Sequence, residues 1–452
     1  MEQLSIDDPI FALATPWGES AIAVLRVSGE ASLTLLDRCF RGKHALSETR
    51  SHTVRHGTLV DPDTDSVIDE VMAAVYKTPT SYTGENGAEL FTHGSPAIIS
   101  AVMELLLRSG FRQASPGEFT QRAFLNGKVD LTRAEAVNDL IRARSDRARS
   151  LAMNRLSGAV ENRVNALKEA IADLLASVEI LIDYPEEDIT VEAGTWRSSL
   201  AQIEEQVARL LGTYTTGRII QEGISIVIAG GTNAGKSTLF NLILREDRAI
   251  VSDVHGTTRD YLEGAACIRG VPVRLFDTAG IRRTDDVLEV EGIKRSDRMI
   301  ANADLILLVV DGVTGLSEDD CALLEKYKGR PLLGIWNKTD RSSLPCPQEF
   351  IPMSSLTGSG IELLEQKIDE LFLDEGSVGT GEPVIDSVRQ KLLLEECASH
   401  LAVFRNALDK ELPLDLLAVD LKSAMDSLGE ITGAITTEDM LQRMFSTFCV
   451  GK

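Results

Sequence analysis

The segment Gly230 to Ser237 reads GGTNAGKS and lies between a strand-like apolar run, ISIVIAG, and a run of helical texture, TLFNLIL. Few strings of this length restrict a chain so severely. The spacing G-x-x-x-x-G-K-S calls for a strand, a turn tight enough to need glycine, and a helix whose first amides are free to bind. Those amides wrap phosphates, Lys236 sets a cation against the outer ones, and Ser237 offers its hydroxyl to magnesium. An isolated glycine turn is the competing reading, and the flanking strand and helix weigh against it. From about Gly223 to Leu373 the strand cores ISIVIAG, VRLFDTAG, DLILLVVD and LLGIWNKTD alternate with helical stretches, which predicts an α/β domain around the loop.

Two further strings belong to the same chemistry. Asn337-Lys338-Thr339-Asp340 closes the strand LLGIW, and the Asp340 carboxylate can accept from both the ring N–H and the exocyclic amine of guanine, a donor pair adenine lacks. The competing reading is a polar turn. Asp277-Thr278-Ala279-Gly280 ends another strand, where Asp277 can hold the magnesium shell and the Gly280 amide can sense a terminal phosphate. In HGTTRD, Thr257 and Thr258 stand where a switch loop supplies a hydroxyl to magnesium, and Thr258 is assigned that role. The nucleotide-contacting set expected from these strings is Asn233, Ala234, Gly235, Lys236, Ser237, Thr238, His255, Gly256, Thr257, Thr258, Asp277, Thr278, Ala279, Gly280, Asn337, Lys338 and Asp340; Ser252, Asp253, Val254, Ser354, Ser355 and Leu356, which lie outside the strings, are added to it as expected contacts. Small GTPases of the Ras type position water with a glutamine after DTAG, whereas this chain has Ile281, so another group must act; Asp285, Asp286, Glu289 and Glu291 follow, each equally readable as a solvated charge.

The remainder of the 452 residues is organised differently. Short β-like runs, Ala21 to Val27 and Val71 to Tyr76, alternate with turn-rich SYTGENG and SPGEFT, predicting a small α+β domain. From Leu131 the texture is helical, and Val160, Val164, Leu167, Ile171, Leu174, Val178 and Leu181 form one seam. DYPEED ends that helix; Leu200, Ile203, Val207 and Leu210 mark an antiparallel return. Helical runs reappear after the linker DEGSVGTGEP, at Leu392 to Leu401 and Leu416 to Leu428, so a helical domain made from both flanks encloses the α/β insert. The formal charge of −23 leaves no uniformly positive face for a polyphosphate, so any nucleic-acid contact must be local or borrowed. Six dispersed cysteines without a CxxC pair, no export signal and no membrane-length apolar run point to a cytoplasmic protein without disulfide frame, zinc or membrane contact.

Together NAGKS, GTTRD, DTAG with a downstream acid, NKTD and the terminal Phe448-Cys449-Val450-Gly451-Lys452 resemble the tRNA modification GTPase family called MnmE or TrmE, over essentially the whole chain. ATPWGESAIAVLRVSG, SYTGENGAELFTHG and PGEFTQRAFLNGKVDLTRAEAVNDLI are similar to that family's folate-binding domain and the start of its helical domain. The resemblance implies a multidomain α/β and α protein: an N-terminal α+β tetrahydrofolate-binding and dimerisation domain at 1–120, a discontinuous helical domain at 121–220 and 376–452, and an inserted Ras-like P-loop GTPase domain at 221–375. It further implies that Asn233, Ser252, Val254 and Thr257 bind potassium in place of an arginine finger, that two such domains pair, and that Glu289 is the catalytic glutamate. Arg26, Glu89, Lys128 and Lys452 would bind 5-formyl-tetrahydrofolate, although read singly each is an ordinary surface ion-pair residue. Cys449 would lie near that folate, as a reactive thiol or an idle one. The chain departs from the family's usual pattern at Trp17, often proline, and at Gly231-Thr232, often Arg-Pro; neither change removes a donor or ligand.

The function so implied uses GTP, magnesium, potassium and formyl-tetrahydrofolate, with a FAD-binding MnmG (GidA) partner in a heterotetramer or larger complex, to build aminomethyl or carboxymethylaminomethyl groups on tRNA wobble uridines as a homodimer. No Rossmann fingerprint is evident, in keeping with flavin carried elsewhere. Two other readings stand beside it: an Era-like ribosome-assembly GTPase, which would want a basic RNA-binding module where the region after Pro383 is acidic to neutral, and a folate-dependent transferase whose GTPase region is only regulatory.

Overall fold

The structure, a computed structural model, describes residues 8–183, 193–246, 262–277, 300, 302–372, 381–410 and 412–451. It divides into two compact units, one formed by Met1–Asn138 with Gly429–Lys452 and the other by Asp139–Leu428.

In the first unit the chain forms β1 (Ile10–Leu13), β2 (Ser20–Ser28), α1 (Ser32–Leu36), β3 (Phe40–Gly42), β4 (Thr53–Val60), β5 (Val67–Tyr76), β6 (Gly87–Gly94), α2 (Pro96–Arg108), β7 (Arg112–Gln113) and α3 (Glu118–Leu125), and α4 (Leu131–Arg142) begins there. The strands make one sheet in the order β3-β4-β5-β6-β2-β1-β7. Alternation buries every second side chain, so Leu25 and Val27 of β2 join Val71, Ala73 and Val75 of β5 under α2. At the β3–β4 end Gly42 faces Gly57 across the ladder, and a Cβ on either would fall within 2.5 Å of the Phe40 ring. Only glycine lets that ring lie across the pair.

The second unit holds the helices α5 (Asp146–Leu156), α6 (Ala159–Asp183), α7 (Ala193–Gly212) and α8 (Tyr214–Glu222), and then an inserted α/β layer. The α6 seam is buried from Val160 through Val178, while Leu181 is only half-buried beside the helix end at Asp183. Leu200, Ile203, Val207 and Leu210 of α7, which packs on both α6 and the later helix Val388–Asp409, are buried. The insert runs β8 (Ile224–Gly230), α9 (Lys236–Glu246), β9 (Leu262–Ile268), β10 (Val271–Asp277), β11 (Leu305–Asp311), α10 (Glu318–Lys326), β12 (Leu332–Asn337), β13 (Phe350–Pro352) and α11 (Ile361–Phe372). Its sheet order is β13-β12-β11-β8-β10-β9, parallel except where β9 runs against β10. The near-continuous apolar stretches predicted as strand cores are those of a sheet covered on both faces, and Leu305 to Val310 are all fully buried or nearly so.

After the insert the chain resumes as α12 (Val388–Asp409) and α13 (Leu414–Thr432), with α14 (Glu438–Phe445) in the first unit. The two ends of the insert are clasped together. The Ile385 amide donates to Thr213 Oγ1 at 3.1 Å, and Gly217 sits so close that a Cβ there would meet the Ile385 carbonyl at 2.2 Å. A buried ion cluster lies nearby in sequence: Arg155 of α5, fully enclosed, bonds Asp139 at 2.7 Å and also Asp386.

Candidate functional site

In a parallel sheet the strands deliver their C-terminal ends to one edge, and here β8 lies between β10 and β11, where the connections diverge to opposite sides. Gly230, Asp277, Asp311 and Asn337 all end their strands on that edge. The phosphate loop spans the exit of β8 to the start of α9. Gly230 has φ +134° and no room for a Cβ, which would meet the Val309 carbonyl at 2.1 Å; Gly235 has φ +101° and would place one 2.1 Å from Asn337 Nδ2. Asn233 also takes a left-handed conformation, at φ +62°. The loop is therefore built where glycine alone satisfies both the torsion and the space.

Lys236 is buried, and its Nζ donates to the Gly230 and Gly231 carbonyls at 3.0 and 2.6 Å, so the cation lies against the loop that phosphates would occupy. Ser237 Oγ donates to Asp277 Oδ2 at 2.8 Å. A hydroxyl and a carboxylate held this close at a helix N-terminus make a donor set fit for a hydrated magnesium ion. Thr238 faces outward.

The base end is tied to the phosphate end by side chains. Asn337 Nδ2 donates to the Ala234 carbonyl at 2.7 Å, while its Oδ1 accepts from the Ser355 amide and hydroxyl, both at 2.9 Å. Lys338, at φ +64°, reaches back to the Asn233 carbonyl at 2.7 Å and to Asp311 Oδ2 at 2.6 Å. Burial would raise the Asp311 pKa, but the Lys338 ammonium and the Val313 amide outweigh it and hold the carboxyl below its usual range. Asp340 Oδ1 accepts from Ser354 Oγ at 2.6 Å, and among the described residues Oδ2 has no donor. That half-used carboxylate at the rim is what a two-donor purine edge requires. Leu356, one residue beyond Ser355, is 77% exposed.

Among the expected residues, Ser252, Asp253, Val254, His255, Gly256, Thr257, Thr258, Thr278, Ala279, Gly280, Glu289 and Lys452 lie outside the described residues. Asp311 was not anticipated; an acid ending the strand next to NKTD was the available signal.

The first unit carries a second concave site. Arg26 and Glu89 face each other across β2 and β6, with Arg26 Nε and Nη2 on Glu89 Oε1 at 3.0 and 2.7 Å. Arg26 Nη1 donates to the Gly451 carbonyl at 3.0 Å, which brings the C-terminal segment to the pocket. The Tyr76 hydroxyl donates to Glu89 at 3.2 Å, and the Tyr82 and Phe119 rings flank the guanidinium at 5.9 and 5.8 Å. Burial raises the pKa of both tyrosines, and the Glu89 charge adds to it at Tyr76. These groups line a cavity of about 230 Å³ that offers a carboxylate, a guanidinium and aromatic faces, a set suited to a flat ring with a hydrogen-bonding edge. Lys128 is not in this lining; its Nζ donates to the Pro79 carbonyl at 2.7 Å. Cys449 is exposed, its carbonyl accepting from the Gly117 amide at 3.3 Å. The tyrosines and Phe119 went unnoticed in the sequence, where nothing distinguishes them from core aromatics.

A largely parallel sheet with a glycine loop of this geometry, a Ser–Asp pair at the start of the following helix and an aspartate with an unused oxygen at the rim marks a P-loop GTPase. The comparisons agree: residues 9–128 match the family described as GTP-binding protein TrmE N-terminus, and residues 131–449 match the MnmE helical domain. The chain is 42% identical over 452 residues to the tRNA modification GTPase MnmE of Streptococcus pyogenes serotype M5 (strain Manfredo), with 98% of each covered, and equally to that of serotype M2 (strain MGAS10270). Among solved structures, the G domain of the Thermotoga maritima FeoB iron transporter is 27% identical over 32% of this chain and 97% of that one, with a TM-score of 0.26. Aquifex aeolicus Era bound to GDP and aluminium fluoride is 24% identical over 39% and 66%, with a TM-score of 0.28. The chain belongs to the MnmE family of tRNA modification GTPases. It is a GTP-hydrolysing enzyme whose family membership entails GTP, magnesium and a tRNA substrate, and favours modification over ribosome assembly. No helix among the described residues is long and apolar enough to cross a membrane.

Proposed function

We propose that this chain is a potassium-stimulated GTPase that works with a FAD-binding MnmG-type partner to form the 5-aminomethyl or 5-carboxymethylaminomethyl group on tRNA wobble uridine, taking a one-carbon unit from 5-formyl-tetrahydrofolate. The observation that carries this reading is the coexistence of two built ligand sites in one chain: the guanine-nucleotide edge and the Arg26–Glu89 cavity with its aromatic flanks. A pterin presents a flat ring with adjacent donors to a carboxylate, and its acidic tail suits a guanidinium. The chain holds no evident flavin fingerprint, which is why the redox chemistry is assigned to the partner.

In this reading Lys236 neutralises the outer phosphates, Ser237 and Thr258 hold magnesium, and Asn233 with Ser252, Val254 and Thr257 holds potassium. The two ions supply positive charge to the developing phosphate oxygens. Glu289 orients the attacking water, the work that Ile281 cannot do. The domains are those at 1–120, 121–220 with 376–452, and 221–375; Lys128 and Lys452 act on the folate tail; and the protein is a cytoplasmic homodimer whose GTPase domains pair during hydrolysis. The test is GTP hydrolysis in potassium and in sodium, with and without 5-formyl-tetrahydrofolate and the flavoprotein. Potassium should accelerate turnover by roughly tenfold or more, in line with a charge placed at the transition state. Equal rates in the two salts, or a Glu289→Ala protein that hydrolyses normally, contradict the reading.

A further inference from the structure

Residues 38–58 depart from the charge of the rest of the chain. They contain five cations, Arg38, Arg41, Lys43, Arg50 and Arg55, and one carboxylate, Glu48, within a molecule whose formal charge is −23. Three of the six histidines, His44, His52 and His56, lie there too. The β3–β4 pairing concentrates part of this charge. A concavity of about 440 Å³ is lined by Arg41, Lys43, His44, Arg55 and His56, together with Val54 and Thr58 and the glycine pair.

The carboxylates that could cancel this charge are occupied or distant. Asp37 spends both oxygens on the Leu46 and Ser47 amides, at 2.6 and 3.2 Å, and Glu70 is taken by His56 at 2.6 Å. Arg41 donates only to the backbone carbonyls of Asp37, Arg38 and Phe40. Among the described residues no carboxylate lies within ion-pairing distance of Arg41, Lys43 or Arg55, and the enclosed Arg55 Nε has no hydrogen-bond partner. β3 is also the edge of its sheet, so this rim is not covered by another strand.

We propose that the β3–β4 rim docks the phosphodiester backbone of the tRNA substrate. The inference rests on the tRNA-modifying function and supplies the local positive surface that an acidic chain needs to hold RNA. Val54 is the one exposed large apolar side chain in the lining, so a lipid surface would find no anchor. Phe40, the aromatic ring of this corner, is buried across Gly42 and Gly57 and cannot stack on a base. The contact is therefore with phosphates and carries no sequence preference, which leaves the choice of nucleotide to the catalytic assembly.

The test is binding of an unmodified tRNA transcript to the full-length protein across a salt series, comparing the native chain with an Arg41→Gln/Lys43→Gln/Arg55→Gln variant and with Lys43→Glu alone. The native chain should bind with a steep salt dependence. The triple variant should bind at least about tenfold more weakly at low salt, and the slope of log affinity against log salt should fall by about 2 to 3, the share of three phosphates. Lys43→Glu, at a fully surface position, should weaken binding without altering melting temperature, and all three proteins should hydrolyse GTP equally. Unchanged affinity and slope in the variants, or no salt-dependent binding by the native chain, overturns the proposal; so does a variant that changes sedimentation instead of RNA binding, which would mark the rim as a contact between copies. Failure of the underlying function is separable: there the native chain, expressed in cells lacking their own relative, would leave wobble uridine unmodified.

Discussion

Asn337 donates its side-chain amide to the backbone carbonyl of Ala234 at 2.7 Å, across 103 residues of sequence, so the turn Asn337–Asp340 is fastened to the glycine loop that opens α9. With Ser355 on its other end, this amide has every polar atom but one N–H engaged by protein, and the residue is 1% exposed.

Replacing Asn337 by alanine strands the Ala234 carbonyl and two Ser355 donors. The expected cost is about 1–3 kcal/mol in folding stability. Because the two halves of the site are no longer registered, GTP affinity should fall by at least roughly tenfold. Chemical denaturation and nucleotide titration measure the two effects; normal affinity in a destabilised protein would show that the amide only supports the fold.

Asp340→Asn exchanges a carboxylate acceptor for a group with its own donors, which then oppose the guanine N–H and amine. GTP binding should weaken by roughly 100-fold, the scale for leaving site and ligand polar groups unmatched. Xanthosine triphosphate, which carries a carbonyl in place of the amine, should bind the variant better than it binds the native chain. Competition titration with the two nucleotides decides it.

Glu118 gives the first unit a pH signature. Burial pushes its carboxyl upward, yet bonds from Arg112 at 2.7 Å, the Ser115 amide at 2.8 Å and Arg122 at 2.9 Å prevail and hold the pKa below the ordinary carboxylate range. A depressed folded pKa stabilises above the unfolded value, and that contribution disappears as pH falls through the folded one. Glu118→Gln should therefore lower stability by about 3 kcal/mol at neutral pH, with the difference from the native chain closing only in acid well below the unfolded carboxylate pKa. Melting curves from neutral pH to acid test this; a constant difference at all pH values would refute the linkage.

Arg155 is fully enclosed with Asp139 and Asp386 around it. Arg155→Met retains volume but leaves two carboxylates without their guanidinium, at an expected cost of about 3–5 kcal/mol. Part of that loss should return in the Arg155→Met/Asp386→Asn double variant, measured by thermal melting. No recovery would mean that the arginine acts by shape alone.

The strand ends at Gly230, Asp277 and Asn337 were legible because GGTNAGKS, DTAG and NKTD are local strings, each beginning where an apolar run stops. The α6 seam was legible for the same reason, with only Leu181 less buried than its spacing implied. What escaped notice depends on register. Arg26 meets Glu89 because β2 and β6 pair antiparallel, and that alignment is set by turns and packing between residues 63 positions apart. The same holds for Asp311 and Lys338, which face each other only once β11 and β12 are side by side. The basic run at 38–58 was in plain view but vanished in the chain's overall negative charge.

The Thr213–Ile385 clasp has a mechanical consequence. An insertion whose entry and exit segments share one doorway turns about that doorway, so a reorientation of the inserted layer would load Thr213, Gly217 and Ile385, together with the Arg147–Asp369 bridge that also ties the layer to α5, and would not stretch the chain. The same geometry sets the ends of the frame close enough for a short bridge across that doorway to rejoin them, at the cost of uncovering the α5 and α8 side chains that share the insert's core.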